Sequence, residues 1–335
     1  MSEFNPLPED SFDKVSGAVS YVAGLYDKYA GELIDLKSYI RSYCDEMDQR
    51  PGPRMRRQYD DLEAEILYML VRETNPQTPV EMSPKDGWSS LWILLALEKN
   101  KEERDDVLGG RLYSYDLRDT SSRNLPDRLR EQRTMVTGDV SQNVRKLPGE
   151  IDLLFVDSAH SAPFARRYFK AIMTRVLNGG MVSIHDVYQP VLRVLPETES
   201  RYVRDTLFKD NGINYLSLSS INPFSTLIAT ALQRDTRLAI EDARALMTRH
   251  DVVKARERAM TRVSGVPLDA VGLDLRTQSS LTLLRPNNPS VFFVMDDKVR
   301  EAASDIADQP DIKPLAGIKS SAWDLIRRSP LFHKG

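Results

Sequence analysis

Pro79-Val80-Glu81-Met82-Ser83-Pro84-Lys85-Asp86-Gly87-Trp88-Ser89-Ser90 is the stretch on which the reading of this chain turns. A short apolar run carries an acid, a turn runs from Ser83 to Gly87, and a helical pattern then covers Ser89 to Lys99. The order is strand, tight turn, helix. Glycine at the end of the turn permits close backbone approach, and the free N–H groups of a helix N-terminus favour a negative ligand group. The full G-x-G-x-x-G pattern is absent, which argues against a pyrophosphate clamp. The turn suits a ligand with an amino-acid carboxylate, and Glu81 is then placed to hold that ligand's ammonium, directly or through water.

Working outward, the same alternation continues. Arg111–Tyr115, Thr134–Thr137, Ile151–Val156 and Met181–Ile184 read as further short apolar strands, with helical patterns such as Phe164–Leu177 between them. Near-continuous apolar strands alternating with helices predict an α/β fold whose parallel sheet is covered on both faces. Ligands of such sheets bind at the carboxyl ends of the strands. Asp116 ends the second strand, where it can accept both hydroxyls of a ribose; Asp139 follows the third, where it can accept an exocyclic amine. Each acid alone also reads as a helix cap or a solvated loop residue. Their order on successive strand–helix units is the informative feature.

The flanks differ in texture. From Asp10 to about Asp48, Val22, Leu25, Tyr29, Leu33, Leu36, Ile40 and Tyr43 recur at helical spacing, and a second helix is expected over Tyr59–Glu73. Packing on a larger domain explains both, and a homodimer through these N-terminal helices is the alternative. An Arg-rich helix over Thr236–Val263 reads as a solvated face or an anion-binding lid. A late strand at Ser290–Val294 and a helical tail follow. The expected division is 1–75 as a helical extension, 76–220 as the sheet core, and 221–335 as a C-terminal region with a helical cap and the last strand. Lys plus Arg total 46 and Asp plus Glu 49, a balance that argues against nucleic acid as a partner. The lone cysteine, Cys44, allows no internal disulfide. No apolar run approaches bilayer length and the N-terminus lacks a signal-like pattern, so no membrane association and a cytoplasmic location are expected.

The ordered set resembles the class I S-adenosylmethionine-dependent methyltransferases, in the branch with a degenerate E-x-S-P-x-x-G-W-S first motif. Glu81, Ser83, Gly87, Trp88 and Ser89 carry that motif, Asp116 matches the ribose acid and Asp139 the adenine-side acid. Ile151 to Ser161 matches the fourth-strand signature, and Leu177-Asn178-Gly179-Gly180 the turn into the fifth strand. The resemblance implies a Rossmann-like, mostly parallel seven-stranded sheet with S-adenosyl-L-methionine as cofactor. Asp157 joins the cofactor set on the same grounds. The activity implied is O-methylation of a natural-product or peptide acceptor, at a hydroxyl or a carboxylate. The alternatives are a non-catalytic binding module, or a metal-dependent relative of sugar and catechol methyltransferases or of hydroxylase-like proteins.

For the acceptor side, Asp157, His160, His185 and Asp186 fall at the ends of strands four and five. His185 is the first choice as general base, with Asp157 and His160 beside it. Asp157 and Asp186 are the ligands if the reaction is metal-dependent, although a histidine at one expected acid position suits magnesium poorly. A carboxylate acceptor would need only alignment, and Arg54, Arg57, Arg166 and Arg167 are candidates to steer it.

Overall fold

The computed structural model describes residues 4–8, 11–12, 14–52, 55–57, 59–104, 109–140, 142–187, 199–217, 237–266 and 290–308. The strands are β1 (Pro79–Met82), β2 (Leu112–Asp116), β3 (Arg133–Thr137), β4 (Ile151–Val156), β5 (Val176–Ile184), β6 (Leu216–Ser217) and β7 (Val291–Val294). They form one seven-stranded sheet in the order β3-β2-β1-β4-β5-β7-β6. β1 to β5 pair in parallel, and β7 runs antiparallel to both β5 and β6. The expected Rossmann-like, mostly parallel sheet is the one found.

The helices are α1 (Lys14–Gln49), α2 (Asp61–Thr74), α3 (Trp88–Glu103), α4 (Asp127–Arg130), α5 (Ala162–Ala171), α6 (Arg237–Ser264) and α7 (Asp297–Asp308). A π-helical stretch, Arg201–Asp210, precedes β6. Strand alternation sorts the sheet's side chains into two cores. Leu153 and Phe155 of β4, with Met181 and Phe292, face α1, α2 and α3. Leu154 and Val156, with Val182, Ile184 and Phe293, face α5, α7 and the π-helical stretch. The result is a three-layer α/β/α domain.

One sequence expectation changes. The helix expected over Phe164–Leu177 stops at Ala171, because Val176 already pairs with Ile151 and opens β5. Gly179, at φ 77°, then lets the N-terminal segment lie on the strand, and Leu7 N–H donates to its carbonyl at 3.1 Å. The apolar stripe of α1 is used within the chain: Val22, Leu25, Tyr29, Leu33 and Ile40 are buried in the core shared with α2 and α6.

The Arg-rich helix α6 is neither a bare solvated face nor a lid of free cations. Arg256 forks onto Glu65 at 2.6 and 2.8 Å, Arg249 reaches Asp60 at 2.8 Å, and Arg262 pairs with Asp27 at 2.8 Å. Lys37 of α1, fully buried, donates to Glu65 and, at 3.0 Å, to Asp61. Tyr26 adds its hydroxyl to Glu65 at 3.0 Å. A buried ionic junction therefore ties α1, α2 and α6 together. Arg256 and Lys37 outweigh the burial that would raise Glu65 and hold its carboxyl down at about 2. Among the described residues no helix is long and apolar enough to cross a membrane.

Candidate active site

The carboxyl ends of the strands are stitched together by backbone. Ser83 N–H donates to Tyr115 C=O at 2.7 Å, Asp157 to Met82 at 3.2 Å, His185 to Val156 at 2.8 Å and Gly138 to Asp116 at 2.8 Å. Left-handed residues gather along this edge: Ser83 (φ 61°), Lys85 (φ 49°), Gly87 (φ 92°) and Asp186 (φ 64°). Non-glycine residues there cost of order 1–3 kcal/mol and persist where contacts over-determine them. Lys85 shows such contacts, since its N–H donates to Asp116 Oδ2 at 3.1 Å and its carbonyl accepts from Thr120 at 2.6 Å. At Gly87 a β-carbon would lie 3.2 Å from Ser121 Cβ and 3.3 Å from the Ser121 carbonyl oxygen, so a side chain there would require Ser121 to shift by a few tenths of an ångström.

The residues of the first motif do not all face this edge. Glu81 is fully buried, and its carboxylate accepts Ser89 and Ser90 hydroxyls at 2.6 Å each and Ser114 at 2.9 Å. Glu81 thus braces β1 against α3 and β2, and Ser89 is one of its braces. Trp88 is buried against Trp92, its indole N–H donating to the Tyr59 carbonyl at 3.0 Å, and so serves the packing of α3. Ser83 and Gly87 shape the turn, and Asp116 stands half-buried at the tip of β2 beside it. Asp139, half-buried, opens the turn after β3, where its carbonyl accepts from Gln142 and Asn143.

The acceptor-side residues do converge. Asp157, His160 and Asp186 bring ligand atoms within 4.8 Å of one another. His160 Nε2 lies 3.1 Å from Asp186 and its Nδ1 2.9 Å from Glu199. Burial pulls the His160 pKa down, but these two carboxylates outweigh it and raise it to about 10. His185 is 2% exposed, with Nδ1 3.3 Å from Asp157 and 3.2 Å from Asp186, and Nε2 4.0 Å from Glu63. Here too burial is outweighed, by Asp186 and Asp157, and the imidazole stays protonated well above its ordinary range. The residue expected as general base is thus buried, with Asp157 and Asp186 both on its Nδ1 side. Asp186, despite its burial, is held well below the usual carboxylate range by His185 and His160. Glu63 is raised by burial to about 7.

Among the described residues no Lys or Arg lies within ion-pair distance of Asp157, Asp186, Glu63 or Glu199, although the Arg249 guanidinium still pulls Glu63 down from further off. The expected arginines are dispersed. Arg57 pairs with Asp48 at 3.3 Å, Arg167 is exposed over the Phe164 ring, Arg166 is half-buried on α5, and Arg54 lies outside the described residues. Two further residues of the site are Glu63 of α2, which opens a helical stretch, 63–68, that also resembles this branch but was not singled out as a site residue, and Glu199. Neither sits in a strand-end motif. Glu199 is brought in by its own N–H, which donates to the His160 carbonyl at 2.9 Å.

Residues 84–187 match the family model for a methyltransferase domain, a little under a third of the chain. No curated protein sequence matches. Similar solved structures include an O-methyltransferase from Streptomyces achromogenes involved in tomaymycin synthesis, in complex with SAM. It is 17% identical over 55% of this chain and 82% of that one, with a TM-score of 0.40. An O-methyltransferase from Bacillus cereus in complex with SAH is 12% identical over 57% and 84%, TM-score 0.39. An SAH-bound methyltransferase from Podospora anserina is 12% identical over 88% and 100%, TM-score 0.36. By its strand order and the family match, the chain carries a methyltransferase domain of the class I build.

Proposed function

We propose that the protein is an S-adenosylmethionine-dependent O-methyltransferase acting on a hydroxyl of a natural-product or peptide acceptor, with a divalent cation at the ends of β4 and β5. The observation that carries this is the convergence of Asp157, His160 and Asp186, in a surplus of carboxylate, at the edge where such sheets bind ligands. The helical layers on either side of the core support an acceptor larger than a simple metabolite.

The residues fit both groups. For the cofactor, the narrow turn at Gly87 and the acids Asp116 and Asp139 suit a nucleoside linked to an amino acid, without phosphates. S-adenosylmethionine would supply an electrophilic methyl group on a sulfonium. For the cation, two carboxylates and an imidazole form a mixed O/N set that suits manganese or another transition ion better than magnesium. Glu199 on Nδ1 turns His160 Nε2 toward Asp186, the arrangement by which an outer carboxylate fixes a metal-binding histidine. A cation there would lower the pKa of an acceptor hydroxyl.

The chain's own residues then have defined tasks. Asp157, with 31% of its side chain exposed, is the most open of the four acids and orients the acceptor hydroxyl. His185 stays behind it, with Nδ1 3.3 Å from Asp157 and 3.2 Å from Asp186. The crowd of carboxylates disfavours a carboxylate acceptor, so a hydroxyl is the better choice. Calorimetric titration with S-adenosylhomocysteine and with manganese tests this. One S-adenosylhomocysteine site, and one manganese site lost in Asp157→Asn with Asp186→Asn, are expected. Absence of S-adenosylhomocysteine binding overturns the methyltransferase reading, and manganese binding that survives the double substitution overturns the cation site.

A further inference from the structure

Arg133 opens β3, and its guanidinium lies between β2 and the loop that follows β2. The residue is 7% exposed. Nε donates to the Ser114 hydroxyl at 2.8 Å and Nη2 to the Ser121 hydroxyl at 2.8 Å. Nη1 is buried with no hydrogen-bond partner among the described residues. Ser114 in turn donates to Glu81, so one hydroxyl joins the buried carboxylate to the buried guanidinium. Burial works against the charge of Arg133, while Glu81, Asp119 and Asp116 favour it. A guanidinium with an unused buried donor is a costly way to fill space, and an apolar side chain would fill it without that cost. What the position uses is the fork, with one arm on β2 and another on the loop beyond it.

The second arm ends on a residue that shapes the cofactor turn. Ser121 is fully buried, and the β-carbon that Gly87 lacks would lie 3.2 Å from Ser121 Cβ. On either side of this contact the loop is tied to the turn. Thr120 donates to the Lys85 carbonyl at 2.6 Å and Asn124 to the Asp86 carbonyl at 2.8 Å. The Lys85 N–H holds one oxygen of Asp116 at 3.1 Å. Resting on the methyltransferase reading, we infer that Arg133 is a positioning residue of the cofactor site, setting the gap between the turn 83–87 and Asp116 by holding Ser121 against Gly87. Fixing Ser121 fixes its neighbour Thr120 and so Lys85, which leaves Asp116 Oδ1 as the oxygen offered to a ribose. A gap set before the ligand arrives lowers the ordering cost of binding.

Arg133→Gln keeps a donor nitrogen at the place of Nε, within reach of Ser114, and gives up the arm to Ser121. The test is calorimetric titration of full-chain Arg133→Gln, Ser121→Ala and the double variant with S-adenosylhomocysteine, beside ligand-free hydrogen exchange. Affinity should fall roughly 10- to 50-fold in Arg133→Gln, the loss expected for a charged hydrogen bond. The double variant should lie within about threefold of Arg133→Gln, because both changes cut the same link. Exchange should quicken at 83–88 and 117–124 and stay as in wild type along β5 and β7. Affinity within about threefold of wild type in folded Arg133→Gln overturns the inference. So does a double variant whose loss is the product of the single losses, or exchange that quickens equally across the sheet. If Arg133→Gln does not fold, Ser121→Ala carries both readouts, and unchanged affinity and exchange there overturn the inference. A wild type that binds no S-adenosylhomocysteine refutes the methyltransferase reading instead; faster exchange confined to the two loops then still leaves the Arg133–Ser121 link standing.

Discussion

Replacing Glu65 by glutamine isolates what the buried junction between α1, α2 and α6 contributes. The wild-type carboxylate is fully buried between Lys37, Arg256 and Tyr26. Glutamine keeps the shape and removes the charge, leaving Arg256 without its forked partner and Lys37 with Asp61 alone. Breaking a buried ion pair by removing one member costs about 3–5 kcal/mol. An independent route agrees in size. Lowering the carboxyl from 4.5 to about 2 in the folded protein corresponds to about 3 kcal/mol by linkage. Because the folded pKa is depressed, this stabilisation is fully present above about pH 4.5 and is lost as pH falls from there through about 2. Glu65→Gln should therefore lose roughly 3 kcal/mol at pH 7 in urea unfolding, or roughly 6 °C in melting temperature. The gap to wild type should be about 1 kcal/mol smaller at pH 4. Arg262→Ala, which breaks the solvent-exposed pair with Asp27, is the control and should cost under about 0.5 kcal/mol. A loss below about 1 kcal/mol for Glu65→Gln, or a gap that widens on acidification, would refute the reasoning.

Asp116→Ala should weaken S-adenosylhomocysteine binding by about 1–3 kcal/mol, through loss of a charged acceptor; calorimetry giving an unchanged affinity in a folded variant would show that β2 does not present the ribose acid. Gly87→Ala combines a left-handed φ with a β-carbon 3.2 Å from Ser121, so a loss of more than about 1 kcal/mol in stability is expected. The same variant should bind the cofactor product less tightly. A stable, fully binding Gly87→Ala would mean that the turn relaxes freely.

The strands were legible because each is a buried apolar run with a polar end, and β1 and β4 lie where the sequence predicts. β6 was not, since two residues carry no periodicity. β5 was read short because Val176 and Leu177 continue a helical spacing, and only pairing with β4 distinguishes the two. Within the site, order along the chain located Asp157, His160, His185 and Asp186 at neighbouring strand ends. It could not say which way a side chain turns. Glu81 and Asp116 look equivalent as acids of successive strands, yet one is taken up by three serine hydroxyls and the other ends its strand half-buried at the sheet's edge.

The acids of α2 were the hardest to read, for a physical reason. An amphipathic pattern assigns polar residues to the exposed face, but α2 is buried nearly all round, and Asp61, Glu63 and Glu65 are buried with it. Their compensation comes from far along the chain: Arg256 is 191 residues from Glu65, and Ser290 is 227 from Glu63. No local window contains both halves of such a pair. Uncompensated, each buried carboxylate would cost several kcal/mol, so α2 is stable in its place only once α1, α6 and the start of β7 have docked. The placement of Glu63 behind His185 therefore follows from completion of the helical layer. The chemistry at the ends of β4 and β5 depends on packing that the strand motifs do not encode.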